Sequence, residues 1–189
     1  DTLRSILEGG GQSTTVAAPA PPVARILRAS IDWARGLPSF LALPQQDQVA
    51  LLTSKWTSLY LLHAIESAQG CSSCPALENA ASNKAESVQL QLLFSKLGDC
   101  DRGEIACLKA IALFHNDPWA NLSLKEPGQV DALLDQALAM LLQHSSRVST
   151  KPNRFGHLLL SLAALERIDR SIIIRLCSDQ PIDILIQGQ

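Results

Sequence analysis

Along most of this chain apolar residues return at intervals of three and four, the spacing that stacks side chains on one face of a helix. Val23, Ile26, Leu27, Ile31 and Ala34 predict a first helix over 23–37, stopped by Gly36 and Pro38. Pro44 opens a second, with Asp47 in its first turn complementing the helix macrodipole. This second helix runs to about Ser67. It is apolar on nearly every side, through Leu51, Leu52, Trp56, Leu59, Leu62 and Ile65, so it belongs in the middle of a layered domain. Helical periodicity resumes over 86–97, 102–114 and 126–147. A long helix then runs from Arg154 towards Ile174, and Pro181-Ile182-Asp183-Ile184 closes the chain. The polar stretch Gln69 to Asn83 and the breaker Asn116-Asp117-Pro118 separate these elements.

The first 22 residues follow another rule. Asp1 to Glu8 is short and amphipathic, with Leu3, Ile6 and Leu7 on one helical face. Gly9 to Pro22 is a Gly-, Ser-, Ala- and Pro-rich connector, too poor in large apolar side chains to offset its chain entropy. The organisation is thus a segment and flexible linker over 1–22 and one helical domain over 23–189.

Composition narrows the class. Hydrophobic residues make up 47% of the 189 but aromatics only 4%, and Leu and Ala dominate over strand formers, which implies an all-α protein. A net charge of −2 gives no long-range pull on phosphate backbones, so any DNA contact falls to a separate domain. No apolar run reaches the length of a membrane span, and neither a secretory leader nor a membrane partner is expected. Five cysteines in no regular framework suit a reducing compartment.

Three blocks carry more specific information. The first joins the first two helices: Trp33-Ala34-Arg35, then Pro38-x-Phe40-x-x-Leu43, then Asp47-Gln48-Val49-x-Leu51-Leu52. The second is Glu104 to Phe114 and the third Arg154 to Leu165. In this order and separation they resemble the ligand-binding domain of nuclear receptors. The wording is closest to the orphan tailless, photoreceptor-cell-specific and COUP group. The resemblance covers most of Val23 to Ile186. It implies a shortened three-layer antiparallel α-helical sandwich acting in transcriptional regulation in the nucleus, without enzymatic activity or cofactor. It also implies partners: helical coregulator peptides of the LxxLL or corepressor type, and a second copy or another nuclear receptor.

A site for a foreign helix needs an apolar trough with a cation at one end, where that cation meets the unpaired carbonyls of the partner's C-terminus. Arg35 is placed for this role, and Val49 and Leu52 would line the trough. The resemblance puts the family's second basic position on Thr53, with Lys55 two residues on, so the groove is electrostatically weaker. Taken alone, Arg35 is equally a favourable cation at the end of its own helix.

Departures from the family pattern shape the functional expectation. The chain ends at Gln189, just after what resembles the last turn before the family's mobile terminal helix, so the acidic residue of an activating charge clamp is not expected. The segment 171–180 is shorter than the eleventh helix of the family, and the stretch between the fifth and seventh helices is compressed into Gln69 to Glu86. Family pocket positions fall on Ile26, Trp56, Tyr60, Ala64 and Ser67. Ser67 stands where acid-binding members carry an Arg, so an acidic ligand would lack its guanidinium partner. A collapsed or small apolar pocket and ligand-independent, repressive behaviour are expected, with a small apolar ligand as the exception. Ordinary core packing is the plainer reading of the same side chains.

The third block also suggests a dimer face on the long helix, carrying Arg154, His157, Ser161 and Arg167. The family's Glu in the central helix, linked to dimerisation, is Ser58 here. Leu3-Arg4-Ser5-Ile6-Leu7 has the L-x-x-[IL]-L pattern of the helices such receptors bind. A tethered copy would dock at high effective concentration; a remnant of the family's first helix or a frayed terminus are the alternatives.

Other chemistry is thinly supported. Cys71-Ser72-Ser73-Cys74 is a lone C-x-x-C, short of the four ligands of a structural zinc site. His63, His115, His144 and His157 lie on separate segments, without a metal-binding repeat. No nucleophile elbow, P-loop or dinucleotide fingerprint is present. The competing class is a helical interaction or dimerisation module with neither ligand nor coregulator.

Overall fold

The computed structural model describes residues 22–69, 77, 81–116, 122–148 and 153–187. The described elements are all helical: α1 (Pro22–Arg35), α2 (Pro38–Leu41), α3 (Gln45–Ser67), α4 (Lys84–Leu97), α5 (Arg102–Phe114), α6 (Pro127–Val148), α7 (Arg154–Glu166), α8 (Arg170–Leu176) and α9 (Ile182–Gln187). The segment with Leu3, Ile6 and Leu7, its connector, and the Cys71/Cys74 pair fall outside the described residues.

Three layers follow from which faces are apolar. α3 is buried on almost every side, from Leu51 and Leu52 through Tyr60 to Ile65, so it needs cover above and below. α1 covers it on one side; α7 and α8 cover it on the other. α5 and α6 extend the central layer, and α4 packs outside on α7. This is the nuclear-receptor-type helical sandwich, and one hydrophobic core runs through it from Leu27 to Ile186.

Side-chain caps fix where the helices start. Asp101 begins α5 with a capping box: its carboxylate accepts from the Glu104 amide at 2.8 Å, while Glu104 accepts from the Asp101 amide at 3.1 Å. Asn83 caps α4 by accepting from the Glu86 amide at 2.9 Å. Asp47 does more than favour its own helix dipole. It is fully buried, and its two oxygens accept from the amides of Lys125 and Glu126 at 2.8 and 2.9 Å. The entry to α6 is therefore pinned to the first turn of α3.

One expectation needs correction, and two segments left without an assigned element are helical. The long helix from Arg154 is two: α7 ends at Glu166, and Asp169 restarts the chain as α8 by accepting from the Ser171 amide at 2.9 Å. The apolar period continues across the break, through Leu165, Ile168 and Ile172, which is why it reads as one helix. The corner after Pro38 is a single helical turn that buries Phe40. The closing segment is also a helix, α9, which buries Ile186 against α1 and α3.

Candidate functional site

The corner between α1 and α3 frames a concave surface. α1 ends on Arg35, the chain turns through Gly36 to Pro38, and α3 begins at Gln45. The Gln48 side-chain amide donates to the carbonyls of Leu43 at 2.8 Å and Leu41 at 3.3 Å, which holds the turn against α3. Arg35, Leu41, Gln48, Val49 and Leu52 line a depression of about 460 Å³, and Ile186 and Gln187 of α9 form its remaining wall. The Arg35 guanidinium donates to the carbonyl of Ile186. That carbonyl lies in the last turn of α9, where backbone acceptors have no intrahelical partner.

Arg35, Val49 and Leu52 thus come together as the sequence suggests. Thr53 and Lys55 do not join them. Lys55 is buried, and its ammonium lies 3.6 Å from Glu166 of α7 rather than at the depression. His115 approaches the same carboxylate at 3.4 Å. The exposed Thr53 offers its carbonyl to Arg170 at 3.2 Å. The one guanidinium at this depression already has an acceptor within the chain.

The dimer-face residues also separate. His157 and Arg167 are exposed and Ser161 is half-buried, beside Leu160, 70% of which meets solvent. Arg154 instead turns inward. Its Nε and Nη2 donate to the two oxygens of Glu104 at 2.7 and 2.5 Å, and that carboxylate is almost fully buried. Hydrogen bonding to Glu104 raises the Arg154 pKa still further, so the guanidinium keeps its charge. Of the family pocket positions, Trp56, Tyr60 and Ala64 are core residues, Ile26 is half-buried, and Ser67 is exposed.

A second polar cluster escaped the sequence reading. Lys109 of α5 is 98% buried, with only 2% of its side chain exposed. Its ammonium donates to Glu66 at 2.5 Å, contacts His63 Nε2 at 3.1 Å and sits 5.4 Å above the Trp33 ring. His63 Nδ1 lies 3.1 Å from the Leu59 carbonyl. Burial and then the Lys109 charge push the His63 pKa down to about 4. The ring is therefore neutral, donating from Nδ1 and accepting at Nε2. Burial also lowers the Lys109 pKa, against the pull of Glu66. One element each supplies the cation and the Trp, and α3 supplies both partners. The arrangement ties α1, α3 and α5 together.

Among the described residues no three His, Cys, Asp or Glu side chains gather to hold a metal. Burial pushes the Cys100 thiol up to about 12 and the Cys177 thiol up to about 11, away from thiolate chemistry. No described helix is long and apolar enough to cross a membrane.

Comparison with known proteins agrees with this architecture. Residues 23–176 match the family described as the ligand-binding domain of nuclear hormone receptor. Nuclear receptor subfamily 2 group F member 6 of Mus musculus is 34% identical over 95% of this chain and 50% of its own length. The Homo sapiens protein of the same name is 35% identical over 87% of the chain and 45% of its own length. Group F member 5 of Danio rerio is 30% identical over 87% and 45%. The chain spans about half the length of these relatives. With its helical sandwich, its α1–α3 corner and this match across most of its length, the chain belongs to the nuclear receptor family, through its ligand-binding domain and with homology to the group F (COUP) members of subfamily 2.

Proposed function

We propose that this chain is the regulatory domain of an orphan nuclear receptor, controlling transcription in the nucleus by recruiting helical coregulator segments, with a ligand-independent and repressive bias. One observation carries the reading. Arg35, the cation suited to the C-terminal carbonyls of a docked helix, is engaged by the Ile186 carbonyl of α9 beside Val49 and Leu52. A coregulator helix must displace that contact, so the resting state disfavours activating peptides. DNA is reached through a separate domain. Pairing with a second copy or another receptor uses the exposed face around His157, Leu160 and Arg167. Any ligand is small and apolar.

Titrating the full chain with LxxLL-type and corepressor-type helical peptides tests this. The parent binds corepressor-type peptide and binds LxxLL peptide weakly. Arg35→Ala lowers affinity by about 10-fold, the scale of a charged hydrogen bond. Ile186→Asp, which loosens α9, raises LxxLL affinity. If neither peptide class binds the parent or the Ile186→Asp chain, the reading fails and a helical packing or dimerisation module stands in its place.

A further inference from the structure

A small cavity opens where α3 faces the joint between α7 and α8. Its volume is about 160 Å³, roughly ten times the space one water needs. α3 supplies three hydroxyls, from Ser54, Thr57 and Ser58, and the ammonium of Lys55. The joint supplies Glu166, which ends α7, and Arg170, which begins α8. Buried Leu61, Leu165 and Ile173 give the cavity an apolar wall. None of Ile26, Trp56, Tyr60, Ala64 and Ser67, the family pocket positions, lines it. It is a separate place in the fold.

The charged groups at this cavity are incompletely matched. Glu166 Oε1 is buried without a hydrogen-bond partner among the described residues. Its other oxygen is approached by His115 Nδ1 at 3.4 Å. The Lys55 ammonium lies 3.6 Å from Oε1, near enough to attract it and too far to donate a good hydrogen bond. Only 11% of the Lys55 side chain meets solvent. A buried acceptor that lacks a donor is costly, and native structures hold few of them. Arg170 is fixed at the same cavity, because its Nη2 donates to the Thr53 carbonyl at 3.2 Å. The site therefore offers an acceptor in want of a donor, two cations and an apolar wall, with room for a molecule of several heavy atoms.

We infer that this cavity is a binding site for a short-chain 2-hydroxy monocarboxylate. The ligand's hydroxyl donates to Glu166 Oε1, and its carboxylate, on the adjoining carbon, accepts from Lys55 and Arg170. Groups on neighbouring carbons are close enough together to bridge an acceptor and a donor that stand 3.6 Å apart. The hydroxyls of Ser54, Thr57 and Ser58 serve as either donor or acceptor around them. Charge decides between ligand classes. Two cations against one carboxylate in the lining favour a monoanion over a neutral alcohol and disfavour an ammonium. A second carboxylate on the ligand would lie against Leu61 and Ile173 and lose its water there. A bound molecule would link α3 to both sides of the α7–α8 joint. This inference stands whether or not the α1–α3 corner recruits coregulators.

Amide NMR shifts of the full chain, titrated with L-lactate as the probe, test it. Saturable shifts are expected at the amides of Ser54, Ser58 and Arg170, with a Kd of roughly 1 mM, since so few atoms make contact. Acetate, which lacks the hydroxyl, binds about 10-fold or more weakly. L-Alanine, whose ammonium meets two cations, also binds more weakly than L-lactate. Ser58→Leu fills the cavity and abolishes the shifts, with α5 amides reporting that the fold is kept. Arg170→Gln, at an exposed position, lowers the affinity about 10-fold and serves where Ser58→Leu fails to fold. No saturable shift at these amides with L-lactate at tens of millimolar overturns the inference. So does acetate binding as tightly as L-lactate, because Glu166 would then have no role. Tighter binding of L-alanine would assign the site to a zwitterion and equally overturn it, as would affinity unchanged by Arg170→Gln.

Discussion

Arg154 illustrates what a residue's surroundings decide. In the sequence it stands at the head of an apolar helix, where a solvated charge on a dimer face is the natural reading. In the fold its guanidinium grips the buried Glu104 carboxylate through two parallel hydrogen bonds. Glu104 also closes the capping box of α5, so one carboxylate sets a helix start and anchors another helix fifty residues on. Truncating one partner of such a pair strands a buried charge. Arg154→Ala is expected to lower the unfolding free energy by about 3 kcal/mol, read from urea midpoints at unchanged slope. Arg154→Lys recovers only part of that, because an ammonium cannot make the forked contact. Linear spacing carries no trace of this pairing. The recurrence of Leu158, Leu162 and Leu165 showed which face of α7 is buried, but not where Arg154 reaches.

At the scale of elements, the helices were legible and their joints were not. α5 begins and ends where the periodicity puts it, at Arg102 and Phe114. The α7–α8 break was hidden because the apolar phase runs through it and the only signal is a local cap, Asp169 with the Ser171 amide. α9 was missed because six residues are too few to establish a period. Asp47 marks the same limit from the other side. Its place in the first turn of α3 was readable; its grip on the α6 entry was not. Asp47→Ala is expected to cost about 2 kcal/mol, since two amides lose a charged acceptor in a buried site. Asp47→Asn keeps one acceptor and costs less. Hydrogen exchange would localise the damage: the first-turn amides of α6 open faster while those of α5 keep their protection.

For the molecule as a whole, the Lys109 cluster sets a dependence on acid. In the folded state the His63 pKa is pushed down to about 4, below its ordinary value of 6.5. Between these values the unfolded chain binds a proton that the folded chain refuses, so stability rises with pH there. The full contribution is present above pH 6.5 and is lost as pH falls towards 4, up to about 3 kcal/mol in total. Guanidinium unfolding between pH 7 and 4 measures it, and His63→Gln should flatten the slope over that window. A slope unchanged by His63→Gln would show that other groups dominate the acid response.

The order of apolar residues determined the helical class, the layered core and the α1–α3 corner, because a helix with one oily face or an oily circumference has few ways to leave water. The three family blocks added the receptor kinship. Tertiary structure alone decided where the charges went: Arg35 to the Ile186 carbonyl, Lys55 to Glu166, Arg154 to Glu104. Burial is additive along a helix and leaves a periodic record. A hydrogen bond or ion pair is a meeting of two groups fixed by distant packing, and the chain between them bears no mark of it.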